Sequence, residues 1–417
     1  MTKNKDFEFC WNGKETSSLL AQSLFFAPHV QFSSGHHILI GDNLNALQAL
    51  GASDKRFHFI YIDPPYNTGQ LFTFTDKQAK KSSEKCDGAA WLRMMFPRLQ
   101  LAHKVMTDDG IIFVSIDDRE IAATLMMLYE IFGKENHLGT LKWRKKRKPS
   151  FLDKHLSSTI EYILVFAKNG DKTPGLIGEK SVEISRPVLN AGNKLSERIL
   201  RAGRPAECAD GLYDAGHYNN RTLSIELLNT MEVRNGAIVV DVSVKGQFRV
   251  TQEILDSTVY VTKNFGLRRI VLESEMGHKN ATDNCTDWPT NEDAEAEMRA
   301  VFGSRIFDFP KPVGMLKKLL QMCPTQGREP LMCLDFFAGS GTLAEAVLAV
   351  NSEDNKDRIF YCAQSDEKLN QPNKEHQLET ISDICVARIK NALKKYTPLE
   401  EHTLKIIHLT PAENAAP

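Results

Sequence analysis

Asp63-Pro64-Pro65-Tyr66 is the stretch of this chain whose residue types and spacing most plainly offer chemistry. Two consecutive prolines fix φ and remove two backbone donors, so an acid, unpaired carbonyls and an aromatic ring are held side by side in a rigid turn. The Asp63 carboxylate and the Pro64 carbonyl can both accept hydrogen bonds from an NH2 group. That draws the nitrogen lone pair out of conjugation and aims it at an electrophile. Tyr66 can stack on the base that carries the amine. Taken alone, the same four residues also read as a strand ending in a Pro-rich turn, with Tyr66 as a packing aromatic.

A second chemical group lies near the other end of the chain. Leu331 to Phe337 is a short apolar run that ends in Ala338-Gly339-Ser340-Gly341-Thr342, and a helix follows from Leu343 to Val350. Glycines let backbone approach a ligand closely, and a helix start offers free N–H groups, so this turn can cradle a polar ligand. The next apolar run, Arg358 to Gln364, has Asp366 and Glu367 just past its end, where acids bind ribose hydroxyls in nucleotide folds. Asp42-Asn43 after the run His36 to Ile40 either places a carboxylate over a ligand or caps the helix that begins there, and on its own the cap is the better reading.

The elements that must position these groups alternate strand and helix. Apolar runs at 36–40, 57–62, 111–116, 161–168, 331–337 and 358–364 suit strands buried on both faces. Helical periodicity spans 15–26, 91–106, 120–132, 315–320, 343–350 and 380–394. Such alternation predicts a parallel sheet, and open sheets of this kind bind ligands at the carboxyl ends of the strands. Residues 67–88 are polar and read as a loop. From about residue 169 Gly, Pro and Asn become frequent, with strand-like pieces at 237–244 and 259–262. This predicts three segments: 1–168, an inserted α+β module at 169–290, and 291–417.

Composition narrows the function classes. With 417 residues, 42% apolar and 25% charged residues and a formal net charge of −1, the chain reads as a soluble globular protein with no global basic signal for nucleic acid. Any such surface must be local, and Leu141 to Pro149 is the strongest charge run. Arg144, Lys145, Lys146, Arg147 and Lys148 there suit either a solvated loop or contacts to phosphate. Eight scattered cysteines without a C-x-x-C pair suggest reduced thiols in the cytoplasm and no metal site. No run reaches transmembrane length, so no membrane association is expected.

Two strands thus end in ligand-type turns, and a doubly wound sheet can set them side by side at its switch point. One turn would hold a nucleotide-like cofactor and the other a target amine. At this point the sequence resembles the adenine-N6 DNA methyltransferases with permuted (β-class) motif order, and most closely the modification subunits of type III restriction–modification systems. The residues that carry the resemblance are Gly41 to Leu44, Tyr61 to Gly69, Trp91 with Pro97-Arg98-Leu99, Gly110 to Asp118, Phe307 to Pro312 and Phe336 to Thr342, in the family's order.

The resemblance implies an α/β fold: a doubly wound, mostly parallel, seven-stranded sheet, Rossmann-like and circularly permuted. It implies S-adenosylmethionine as methyl donor and duplex DNA as substrate, with Asp63, Pro64, Pro65 and Tyr66 as the catalytic turn. Asp335, Phe337, Ala338, Gly339, Ser340, Gly341 and Thr342 would hold the methionine part and nearby atoms. Asp42 would meet the adenine end, and the Pro310-Lys311-Pro312 segment would line the methionine side. The family usually ends the strand after the Gly turn with an acid. Here Gln364-Ser365 stand there, leaving Asp366 or Glu367 for the ribose, and Asp366 is carried forward. Asn67 joins the basic run as a DNA contact, and 169–290 would recognise the target sequence. A homodimer and a restriction subunit are the expected protein partners. The alternatives are a cytosine-N4 methyltransferase of the same architecture, which more often has Ser where Asp63 stands, methylation of RNA or of a glutamine side chain, and a DNA-binding regulator with a dead site.

Overall fold

Strands buried on both faces build one large sheet in the computed structural model, which describes residues 9–22, 30–66, 88–149, 155–180, 184–219, 223–272, 278–325, 327–373, 375–397 and 404–409. Its order across the sheet is Asn284–Cys285, His137–Arg144, Ile160–Ala167, Met106–Ile116, Phe57–Ile62, Leu331–Asp335, Arg358–Gln364, His36–Ile40 and Leu404–His408. Only Ile160–Ala167 runs against its neighbours. Among the described residues the sheet therefore has nine strands where seven were expected. The two additional strands are the edges. One is two residues long, and the other is mostly half-buried or exposed, so neither carries a buried apolar run.

Alternation along each strand divides the core. Ile38, Ile40, Phe59, Tyr61, Ile111 and Phe113 share a cluster with Met315 and Leu319 of helix Val313–Met322, Leu343 and Val347 of helix Thr342–Asp354 and Ile389 of helix Ile381–Tyr396. Leu39, Ile60, Ile62, Ile112 and Val114 share another with helices Asn43–Ala52, Gly88–Val105 and Ile121–Phe132.

The chain leaves Phe57–Ile62 toward Met106–Ile116 on one side, and leaves Leu331–Asp335 toward Arg358–Gln364 on the other. Phe57–Ile62 and Leu331–Asp335 are parallel neighbours, with Cys333 opposite Phe59 and Leu334 opposite Ile60. That pair is the topological switch point, so the two ligand-type turns leave the sheet at the same edge.

Two segments differ from their predicted form. The strand expected at 237–244 is split into Ala237–Ile238 and Val242–Gly246, because Asp241 between them turns to accept from the Arg201 guanidinium and the Ala202 N–H. The basic run is not a loop at its start. Leu141 to Arg144 completes strand His137–Arg144, with Trp143 fully buried and its indole N–H donating to the Pro289 carbonyl at 2.8 Å.

The chain divides into two compact units, one of residues 1–177 with 280–417 and one of 178–279. The second has its own core, including Leu200, Ile225, Leu227, Val244, Val261 and Leu267. It is built from small antiparallel sheets, the largest ordered Gly216–Asn219, Ser224–Leu227, Val242–Gly246 and Ser196–Leu200, with one short helix, Gln252–Thr258. Among the described residues no helix is long and apolar enough to cross a membrane.

Candidate active site

Asp63 follows directly on strand Phe57–Ile62, and one quarter of its side chain is accessible (25%). The turn is fixed from the side by Trp91 of helix Gly88–Val105, whose indole N–H donates to the Pro65 carbonyl at 2.6 Å. Tyr66 curls back so that its hydroxyl donates to Asp63 Oδ1 at 2.5 Å. Asn67 lies outside the described residues.

Lys311 reaches the same carboxylate from the opposite end of the chain. Its Nζ lies 2.9 Å from Asp63 Oδ1, 2.8 Å from the Tyr66 hydroxyl and 3.3 Å from Glu161 Oε2. It also stands 5.0 Å from the centre of the Tyr66 ring. Two residues before Lys311, Phe309 has φ 54°, an uncommon backbone state for a bulky residue. Lys311 was expected on the methionine side of a cofactor; its ammonium is at the catalytic turn.

Burial pushes the Asp63 carboxyl up; Lys311 and the Tyr66 hydroxyl oppose this, Glu161 adds to it, and the net direction is upward. Burial also raises Glu161, but Lys311 and Lys145 outweigh it and hold this acid below its ordinary value. Burial works against the Lys311 charge, and Asp63 and Glu161 overcome that, so Lys311 stays protonated. Burial together with the two carboxylates keeps the Tyr66 phenol protonated and hence a donor.

The neighbouring turn is held from below. The Gly341 N–H donates to the Ala338 carbonyl at 2.7 Å, and the Gly339 N–H to Gln364 Oε1 at 2.7 Å. Gln364, which stands where the family places an acid, is thus a brace for the loop. The Ser340 and Thr342 hydroxyls point inward, to Arg388 Nη1 at 2.8 and 2.9 Å. Arg388 is buried and pairs with Glu345 Oε2 at 2.6 Å. Helix Ile381–Tyr396 delivers it, started by a capping box in which Thr380 Oγ1 accepts from the Asp383 N–H and Asp383 accepts from the Thr380 N–H. The N-cap of helix Thr342–Asp354 is Gly341, which has no side chain to cap the first turn.

Asp335 is 3% exposed, and burial, with a further push from Asp63, holds it well above the carboxylate range although the Phe337 N–H donates to it at 3.0 Å. No ion pair joins it to another described residue. A buried acid in this state suits a cationic ligand, which would restore its charge. Phe337 and Ala338 lead from it into the Gly turn.

The other predicted residues are spread over the same unit. Asp42 caps helix Asn43–Ala52: its Oδ1 accepts from the Leu44 N–H at 2.6 Å and from Arg98 Nη2 at 2.9 Å. Asn43 donates to the Phe336 carbonyl at 2.7 Å, which ties this turn to the Gly loop. Asp366 accepts from the Ser382 hydroxyl at 2.6 Å. In the basic run Lys145 pairs with Glu161 at 3.2 Å, and Arg147 with Asp293. Arg144 and Lys148 are exposed, and no ion pair joins Arg144, Lys146 or Lys148 to another described residue. Among the described residues no group of His, Cys, Asp and Glu is arranged to hold a metal ion.

Glu161, Arg388 and Gln364 were not singled out as site residues in the sequence. Two of them carried a signal: Glu161 is an acid opening an apolar strand, and Arg388 lies on the apolar stripe with Ile384, Cys385 and Ile389. Such residues are almost never fully buried unless paired.

A permuted Rossmann-like sheet with an Asp-Pro-Pro-Tyr turn beside a Gly turn at its switch point defines an α/β fold of the S-adenosylmethionine-dependent methyltransferase type. Residues 57–370 match the DNA methylase (N6/N4) family model, and the chain belongs to that family. It is 29% identical to the StyLTI Mod subunit, a type III restriction-modification enzyme of Salmonella typhimurium, over 94% of this chain and 62% of that protein. It is 27% identical to the type II methyltransferase M.KpnI of Klebsiella pneumoniae, over 90% of this chain and 92% of that one. The EcoPI Mod subunit of Escherichia phage P1 is 26% identical, over 93% and 67%. The chain spans about two thirds of the length of these Mod subunits and nearly all of M.KpnI.

Proposed function

We propose that the protein transfers a methyl group from S-adenosylmethionine to N6 of an adenine flipped out of double-stranded DNA, as part of restriction–modification or epigenetic marking. The observation that carries this reading is the register of the two central strands, which sets the Asp63 and Gly339–Gly341 turns at one sheet edge. The names of the relatives, Mod subunits and a methyltransferase, agree with it.

S-adenosylmethionine, when bound, supplies a methyl group on a sulfonium. Asp335, Phe337, Ala338 and the backbone of Gly339 to Thr342 would hold its methionine part, Asp42 its adenine end and Asp366 its ribose. Base flipping costs a few kcal/mol. Stacking on Tyr66 offsets about 1–3 kcal/mol of that. Asp63 and the Pro64 carbonyl accept from the amine and orient its lone pair. Positive charge develops on this nitrogen as the methyl group arrives, and acceptors already in place stabilise it without reorganisation. The upward shift of Asp63 suits it to take the proton that the nitrogen then loses. Asp at position 63, rather than Ser, favours adenine over cytosine.

In this reading residues 169–290 recognise the target sequence, and Asn67, Arg144, Lys146 and Lys148 meet DNA phosphate. A second copy of the chain and a restriction subunit are its protein partners, and it acts in the cytoplasm. Sequencing that reads modified bases, applied to DNA from cells expressing the protein, tests the function. N6-methyladenine at one defined motif is expected; N4-methylcytosine would support the alternative, and unmodified DNA would refute both.

Phosphate contact has its own test. Within the basic run Arg144 and Lys148 are the exposed cations without an ion pair to another described residue, so replacing both with Ala should weaken specific and non-specific DNA binding alike. It should flatten log Kd against log salt by up to about 2 units. The methylated motif should stay the same, because phosphate contacts do not read bases. An unaltered slope would make the run a solvated surface.

A further inference from the structure

Glu161 sits where the catalytic turn meets the basic run. It is buried at the start of strand Ile160–Ala167. One of its oxygens, Oε2, accepts from the Tyr66 hydroxyl at 3.3 Å and lies 3.3 Å from Lys311 Nζ. The other, Oε1, lies 3.2 Å from Lys145 Nζ, whose side chain is only 15% exposed. Lys311 is thus shared between two carboxylates, and Lys145 balances the second. On Asp63 both Tyr66 and Lys311 use Oδ1. No described residue hydrogen-bonds Oδ2, which is left for an incoming amine.

We infer that Glu161 is a positioning residue for methyl transfer, holding the Tyr66 hydroxyl and sharing the Lys311 ammonium with Asp63, and that Lys145 serves this carboxylate rather than DNA phosphate. The inference rests on the proposed function for what the pocket does. Without Glu161, Lys311 has Asp63 as its sole carboxylate partner among the described residues, and the Tyr66 hydroxyl keeps only Asp63 and Lys311 of its three polar partners. A target amine must then compete with a full ion pair for Asp63.

The charged and titratable groups that face Asp63 are Lys311, Glu161, Tyr66, Tyr61 and, across the sheet edge, Asp335. Lys145 adds a positive charge behind Glu161. Neutralising Glu161 removes a negative charge that holds Asp63 up, so Asp63 ionises at lower pH. Neutralising Lys145 exposes Asp63 to more of the Glu161 charge, so Asp63 ionises at higher pH.

The test uses the full chain, labelled S-adenosylmethionine and unmethylated genomic DNA. Glu161→Gln should lower kcat about 10–100-fold with S-adenosylmethionine affinity unchanged. Its acidic limb of kcat against pH should move down by about 0.5 unit or more. Lys145→Gln should move the same limb up and leave the salt slope of DNA binding as it is. A residue that merely supports the fold would lower melting temperature without moving the limb in opposite directions in the two variants. Carboxylate carbon NMR of Asp63 reads the same opposite shifts without turnover. A wild-type protein inactive on DNA would therefore sink the proposed function while the inference is still tested. Should Glu161→Gln not fold, Lys145→Gln carries the test. An Asp63 titration unmoved in the variants that fold, or full activity in Glu161→Gln, would overturn the inference.

Discussion

Asp63→Ala is expected to bind S-adenosylmethionine with wild-type affinity and to lose methyl transfer by more than the roughly 10²–10³-fold typical of one oriented catalytic group. The loss is large because Asp63 would both aim the lone pair and receive the developing charge. The fold should survive. Removing one partner of a buried ion pair usually costs about 3–5 kcal/mol because the other charge is orphaned. Here Lys311 keeps Glu161 at 3.3 Å as a partner. Cofactor affinity should not fall, since the Asp63 charge opposes ionisation of Asp335, the acid that would meet a cationic ligand. Titration calorimetry and a labelled-methyl assay check both halves. Transfer within tenfold of wild type would remove Asp63 from its role.

Gly341→Val should have the second largest effect, a loss of S-adenosylmethionine binding. Gly341 has φ 82°, and a Cβ there would stand 3.1 Å from both Cys385 Sγ and Ile389 Cγ1. The left-handed state costs an L-residue about 1–2 kcal/mol, and overpacking typically adds about 1–3 kcal/mol. Those neighbours lie in helix Ile381–Tyr396, which also carries Arg388, so the loop cannot shift without disturbing the guanidinium that binds Ser340 and Thr342. The expected result is a lowered melting temperature together with at least about tenfold weaker binding. Calorimetry well below the melting temperature separates the two. Unchanged affinity would mean that this is a tight turn and not a ligand cradle.

The fold was legible where burial is two-sided. Strands 36–40, 57–62 and 358–364 are mostly apolar and almost wholly buried, and each ends in a turn with its own chemical signature. The order of the two turns along the chain, with the switch-point rule, was enough to place them side by side. Edge strands escaped because one is two residues long and the other mixes lysine and histidine with isoleucine. In the basic run the alternation of Leu141 and Trp143 inward with Lys142 and Arg144 outward was present, but the charges masked it.

Within the site, the acids and glycines could be named from local spacing, whereas their partners could not. Lys311 meets Asp63 across 248 residues, and Asn43 meets the Phe336 carbonyl across 293. Spacing along the sequence does not encode such pairs. Ser340 and Thr342 stood in a ligand-type loop by sequence, yet their hydroxyls are turned to a buried arginine 48 and 46 residues away.

The most direct measurement is nucleoside analysis of duplex DNA incubated with the purified protein and S-adenosylmethionine carrying a labelled methyl group. The label is expected in N6-methyldeoxyadenosine, and is expected to be absent from the Asp63→Ala control. Label in N4-methyldeoxycytidine, or no label in DNA from a protein that binds S-adenosylmethionine, would contradict it.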